Sequence, residues 1–148
     1  MIKSIKFENF RNLDAKYNFD NNLNIIVGKN NSGKTNLLDG IRLAFSTITD
    51  DYFKVEKSDF NNSDDSKPIT IIVELAENSI NSLMEFDENG KKAWGFRVKV
   101  RKTQRGRYVK EISSLSGSNI DYEILKEDPS IPKINSIPLE RIDSLFTN

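Results

Sequence analysis

Cysteine and histidine are both missing from this chain. Without cysteine there is no disulfide, no thiolate metal site and no cysteine nucleophile, which suits a reducing compartment. Without histidine there is no imidazole base, no imidazole metal ligand and no switch titrating near neutrality. No apolar run approaches the roughly 18 residues of a membrane span and no signal-peptide pattern is present, so a soluble cytoplasmic protein is expected. Charge of either sign is not in excess, with 22 Lys and Arg against 22 Asp and Glu, so the total argues neither for nor against a nucleic-acid partner. The 148 residues suffice for one domain with a real core.

What is present is organised around residues 23–35. Leu23 to Val27 form a short apolar run that reads as a buried strand. Gly28-Lys29-Asn30-Asn31-Ser32-Gly33-Lys34-Thr35 follows, and an amphipathic segment opens immediately after it. This is the P-loop pattern in its strand–loop–helix context. Gly28 and Gly33 allow backbone angles and close approaches that a Cβ would block. The loop amides, with the positive end of the following helix, form a nest for phosphate oxygens. Lys34 is the catalytic candidate, reaching the β- and γ-phosphates as a mobile charge, and the Thr35 hydroxyl is the candidate ligand of Mg²⁺. Asn36 completes the candidate ATP-binding stretch.

The chain divides by pattern into residues 1–48, 49–68 and 69–148. In the first part, Ile5 and Phe7 alternate with Lys6 and Glu8 as in a half-buried strand, and Arg11-Asn12-Leu13 is a turn. Ala15, Tyr17 and Phe19 form a second strand, antiparallel to the first. A helix is expected from about Gly33 to about Thr47, with Leu37, Leu38, Ile41, Ala44, Phe45 and Ile48 on one face. Gly40 weakens it but permits close packing on a sheet. Residues 49–68, rich in Asp, Asn and Ser, read as a solvated surface loop. Ile69 to Leu75 form a strand, and Asn78 to Phe86 a short helix stopped by Asp87-Glu88-Asn89-Gly90. Residues 93–101 alternate and pair across a Gln104-Arg105-Gly106 turn with Tyr108 to Ser113. The prolines of 128–138 make the C-terminal segment irregular.

Residues 91–110 hold nine cations and no acid. Arg97, Lys99 and Arg101 share the hairpin face opposite Trp94, Phe96 and Val98. Such a ribbon suits a phosphate backbone, and the outer face of an antiparallel hairpin is commonly charged in any case.

Ile5-Lys6-Phe7-Glu8-Asn9-Phe10-Arg11-Asn12-Leu13, followed by the P-loop and Asn36-Leu37-Leu38-Asp39-Gly40-Ile41, resembles the heads of ABC-type ATPases (AAA family) that act on DNA. These include RecF, the structural-maintenance-of-chromosomes proteins and the OLD-family nucleases. The stretch Asn30 to Thr35 with Leu37 to Phe45, and Lys57-Ser58-Asp59-Phe60 before the 69–75 strand, look most like the OLD family. The resemblance implies an α/β P-loop ATPase head with an antiparallel β layer, N-terminal portion only, binding ATP and Mg²⁺. It implies Arg11 and Asn12 near the nucleotide; a turn with an exposed arginine is the alternative. In a longer parent it implies two heads sandwiching ATP as a homodimer and driving a DNA-processing endonuclease. A RecF-like ATPase without nuclease, or a non-catalytic nucleotide-binding or dimerisation module, are the alternatives.

The sequence departs from that pattern downstream. Leu115-Ser116-Gly117-Ser118 mimics the start of a signature loop, and Ile71-Ile72-Val73-Glu74 mimics the metal-side strand. Neither has the residues that should accompany it, Gln104 is the only glutamine, and no Asp-x-Asp pair of a Toprim nuclease occurs. A piece of a longer ATPase is therefore expected, binding nucleotide weakly and turning it over poorly by itself.

Overall fold

The computed structural model describes residues 2–19, 31–49 and 52–131. The P-loop strand expected at Leu23 to Val27 lies outside the described residues, as does everything after Ile131. Strand β1 (Ile2–Glu8) buries Ile5 and Phe7 and points Lys6 and Glu8 outward, the period-2 alternation of a one-sided sheet. A short β2 (Lys16–Asn18) pairs antiparallel on one side of β1, with Tyr17 opposite Ile5. On the other side β1 pairs antiparallel with β3 (Ile69–Leu75), Phe7 standing opposite Ile71. Strand β5 (Lys92–Lys102) lies along the far side of β3. Two shorter strands share the remaining edge of β5: β4 (Met84–Phe86) against residues 92–94, and β6 (Tyr108–Ser113) against residues 97–102. Every pairing among the described strands is antiparallel.

Helix α1 (Asn31–Ser46) crosses the inner face of this sheet. Its expected apolar stripe is buried throughout, and Leu43, off that stripe, is also 0% exposed, so the helix is covered over more than one side. Phe45 meets Phe96 of β5 edge-on at 5.3 Å. The last turn carries no basic side chain; Ser46, Thr47 and Thr49 hydroxyls donate instead to the carbonyls of Leu43, Ala44 and Phe45. These bonds satisfy acceptors that a helix end leaves unpaired. A short α2 (Tyr122–Glu127), capped by the Asp121 carboxylate, closes the described chain. Among the described residues no helix is long and apolar enough to cross a membrane.

One expectation is corrected. Residues 78–86 do not form a helix: a 3₁₀ turn at Asn81–Leu83 runs into β4. Ile80 and Leu83 are buried while Met84 to Phe86 pair with β5, so the Asp87–Gly90 turn closes a hairpin. A segment this short carries no reliable period, and the free edge of β5 decides its state. Within 49–68, Lys57–Asp59 and Asn61–Ser63 form 3₁₀ turns. Phe60 between them is 1% exposed, with its ring 5.2 Å from that of Tyr108. The other described residues of this connection are exposed or half-buried, and one aromatic and one carboxylate anchor it.

Gly40 is where the helix touches the sheet. A Cβ there would stand 2.3 Å from Phe7 Cε1 and 2.6 Å from Cζ. Phe7 is fully buried, stacked on Phe10 at 5.7 Å and edge-on to Tyr17 at 6.1 Å, so its ring has little room to retreat. Overpacking a core costs about 1–3 kcal/mol. At so close an approach that exceeds the roughly 1 kcal/mol by which alanine outranks glycine in a helix. Gly40→Ala is thus expected to lower the urea midpoint with the m-value unchanged, and Gly40→Val to lower it further. An unchanged or raised midpoint would show that Phe7 yields.

Candidate nucleotide-binding site

Gly28, Lys29 and Asn30 lie outside the described residues. Asn31, Ser32, Gly33 and Lys34 form the first turn of α1, which begins about two residues earlier than the expected Gly33 start. Thr35 follows with its residue exposed, and Asn36 is half-buried beside it. That first turn carries no acidic side chain. The first turn therefore brings no carboxylate of its own to the positive dipole end of this 16-residue helix, which suits an incoming phosphate. The hydroxyl of the exposed Thr35 is a hard oxygen donor of the kind Mg²⁺ accepts. The described residues thus fit the nucleotide and its cation.

The best-defined polar structure here is centred on Arg11. The turn after β1 puts Asn9 and Arg11 in left-handed backbone conformations, φ 62° and 51°. Non-glycine residues adopt this region at a cost, and the surroundings hold it. Arg11 N–H donates to the Asp59 carbonyl at 2.8 Å, and the Asn61 side-chain amide donates to the Arg11 carbonyl. Phe10 turns inward to full burial, and the guanidinium carbon lies 5.0 Å from the centre of its ring.

The guanidinium then reaches three segments. Nε and Nη2 donate to Asp59 Oδ1 at 3.1 and 3.0 Å. Nη1 donates to Asn36 Oδ1 at 2.9 Å and to Asp39 Oδ2 at 2.8 Å. Four of the five N–H directions of an arginine are so engaged. Asn36 in turn donates through Nδ2 to Asn12 Oδ1 at 2.8 Å. Asp39 also receives Arg42 at 3.3 Å, and Asp59 Oδ2 accepts the Glu56 amide at 2.8 Å. Two arginines face two aspartates, and the cluster is neutral. Burial works against the charged guanidinium, but the hydrogen bonds and charges of Asp39 and Asp59 prevail and its pKa lies above the ordinary arginine value.

The structure therefore brings Arg11, Asn12 and Asn36 together at the start of α1. Arg11 is not an exposed turn residue: it braces the second turn of the helix against β1 and the 57–61 segment. Asp39, Asp59 and Asn61 were not singled out from sequence. Their signal is faint: Asp39 lies on the polar side of the helix, and the other two sit in an Asn- and Asp-rich stretch that looks solvated.

The two downstream mimics are placed elsewhere. Glu74 stands opposite Ser4, near the end of β3 farthest from Arg11, and its side chain faces away from α1 and pairs with Lys16 at 3.4 Å. Leu115 to Ser118 form a tight turn whose Ser116 N–H and hydroxyl are held by the Glu85 carboxylate at 2.9 and 3.0 Å. Gln104 is exposed in the β5–β6 turn. Among the described residues no group of three acids is arranged to hold a metal ion.

A helix that carries Gly33-Lys34-Thr35 at its start and packs on an antiparallel sheet fits the class of P-loop NTPases. A family model described as "AAA ATPase domain" matches residues 1–143, and the chain belongs to that family. A "DNA replication and repair protein RecF" of Lactobacillus acidophilus is 32% identical over 132 residues, covering 88% of this chain and 34% of that protein. A RecF of Francisella tularensis subsp. novicida is 51% identical over 41 residues, 27% of this chain and 12% of that protein. The chain thus spans about a third or less of the length of these relatives.

Removing the brace should be costly, because Asp59 is 5% exposed and would stay buried without a partner. Breaking a buried pair costs about 3–5 kcal/mol. The Arg11 side chain is 23% exposed, so Arg11→Ala is expected near the lower end of that range. Arg11→Ala with Asp59→Ala should cost less than the sum of the two single changes. Additive losses in urea unfolding would mean that the two groups do not stabilise one another.

Proposed function

We propose that this chain is the ATP–Mg²⁺-binding, N-terminal part of an ATPase head belonging to a longer protein that acts on DNA. The observation that carries the reading is the start of α1: its first turn bears Gly33 and Lys34 and no acid, Thr35 follows, and the next turn is braced by Arg11 through Asn36 and Asp39. The backbone from Gly28 to Ser32 would cradle the phosphates, Lys34 would meet the β- and γ-phosphates, and Thr35 would hold Mg²⁺. The cation supplies charge neutralisation between the phosphates when bound. Asn36, Asn12 and Arg11 would form the rim, with one guanidinium N–H still to spare among the described contacts.

The action on DNA is argued from the named function of the RecF relatives and from the resemblance of the P-loop region to DNA-acting ATPase heads. In that reading two heads pair across ATP, and their engagement gates a downstream DNA module. An OLD-type nuclease rests on the Asn30–Phe45 and Lys57–Phe60 resemblance; a RecF-like ATPase without nuclease rests on the relatives. A Toprim acid set in the parent's downstream sequence separates the two. A non-catalytic nucleotide-binding module is the reading from a different class.

The test is titration of the chain with magnesium ATP, followed at the amide signals of Gly33, Lys34 and Thr35. These signals are expected to shift in wild type. Lys34→Ala should weaken binding at least about tenfold, equivalent to roughly 1.4 kcal/mol. In the parent protein the same change should abolish steady-state ATP hydrolysis. Signals unmoved at millimolar nucleotide, in chain and parent alike, would reject the site. Hydrolysis that persists in Lys34→Ala would place the working site elsewhere.

A further inference from the structure

The outer face of the sheet is charged unevenly. On its β1–β2 side the charges cancel in pairs, Lys6 with Glu8 at 3.3 Å and Lys16 with Glu74 at 3.4 Å. On β5 they do not. The register puts Arg97, Lys99 and Arg101 on the outer face, Arg97 and Lys99 opposite Ile72 and Thr70 of β3, and the three opposite Ser113, Glu111 and Val109 of β6. One carboxylate, Glu111, reaches this row, and it is taken by Arg101. Glu85, at the β4 end of the same face, is held by Ser116. Beyond the row, Arg105 and Arg107 stand exposed on the β5–β6 turn. That turn is closed by Thr103 N–H to the Arg107 carbonyl at 2.7 Å and Gly106 N–H to the Thr103 carbonyl at 2.9 Å. Five cations against one acid leave a strip of net charge 5 − 1 = +4.

We propose that this strip, from Arg97 through Lys99 to the Arg105–Arg107 turn, binds the phosphate backbone of a duplex nucleic acid independently of its sequence. The strip is stiff. Phe96, Val98 and Val100 on the reverse of β5 are fully buried, and β3 and β6 flank it on both sides, so Arg97, Lys99 and Arg101 are presented from a fixed strand and Arg105 and Arg107 from a hydrogen-bonded turn. Alternate residues of a strand lie about 6.7 Å apart, which sets the cations in a straight row along which a charged backbone can lie. The face lacks the exposed aromatic or aliphatic centre that a protein interface needs. The exposed Met84 and Phe86 share the face of Trp94, on the other side of the sheet. No aromatic interleaves with the row to stack unpaired bases, which favours a duplex over a single strand. Electrostatic contact with phosphates supplies affinity without base readout.

The inference gives the reading above a DNA-contacting surface, and it rests on that reading only for the choice of DNA as the probe. The test uses Lys99→Gln/Arg105→Gln/Arg107→Gln, three positions with no ion pair among the described residues; Glu111, opposite Lys99 in register, pairs with Arg101. Lys6→Gln/Lys16→Gln/Lys54→Gln serves as a control of equal charge. Binding of duplex DNA, the corresponding single strand and duplex RNA is measured between about 50 and 200 mM salt. Wild type and control are expected to bind duplex DNA alike. The strip variant should bind at least about tenfold more weakly at the low-salt end, with the slope of log K against log salt reduced by about 2.7, or 0.9 for each of three lost contacts. Unchanged binding in the strip variant, an equal loss in the control, or tighter binding of the single strand than of either duplex would overturn the proposal. Preference for duplex RNA would keep the strip and change its source. Titrating the strip variant with magnesium ATP separates the two readings: nucleotide binding at the wild-type level with unaltered duplex binding defeats this inference alone.

Discussion

A single guanidinium holds this part of the molecule together. Arg11 links residues far apart in sequence: its own turn after β1, Asn36 and Asp39 on α1, and Asp59 in the 57–61 segment. The planar fork of arginine suits this task, since it serves several acceptors from one rigid plane and keeps its charge at every accessible pH. Asp59 makes the arrangement obligatory: a carboxylate removed from water needs both a counter-charge and hydrogen bonds. It has them from Arg11 on one oxygen and the Glu56 amide on the other. The left-handed backbone at Arg11 is thus held by bonds on both its amide and its carbonyl. The functional consequence is positional, because the helix that follows the glycine-rich loop is clamped at its second turn, directly after the turn that carries Gly33 and Lys34.

The sheet separates two kinds of chemistry by the period of its strands. Its inner face is a continuous apolar surface on which α1 lies, close enough at Gly40 to exclude a methyl group. Its outer face carries charge, balanced in pairs at one side and unbalanced along β5 and its turn. The candidate nucleotide site and the basic strip are consequently built on different surfaces of the same sheet. Strand β5 serves both, with Phe96 against Phe45 of the helix on one side and Arg97 and Lys99 toward solvent on the other.

Segments with a clear period were legible and short ones were not. The α1 stripe, the alternation of β1, β3 and β5, and the β5–β6 hairpin follow from repeated apolar spacing, which reports burial directly. Residues 78–86 carry too few residues to show a period, and pairing with an open edge of β5 made part of them a strand. The 57–63 turns look polar because their anchors are only Asp59 and Phe60. Glu74 and the Leu115–Ser118 turn show the opposite error that sequence permits. Each copies a few residues of a functional motif, yet Glu74 pairs with Lys16 on the outer face and Ser116 is held by Glu85.

By itself the sequence determined the P-loop pattern and the amphipathic helix that follows it, because fixed residue types at fixed spacing dictate backbone freedom, charge and periodicity locally. It also determined the charge segregation of residues 91–110, which is a property of composition. Only the tertiary structure decided that Arg11 is a brace, that Asp39 and Asp59 are its partners, and that on β5 Arg101 and Lys102 are ion-paired while Arg97 and Lys99 are not. Those outcomes depend on which residues meet across dozens of intervening positions, and a carboxylate is a solvated charge or a structural anchor according to what surrounds it.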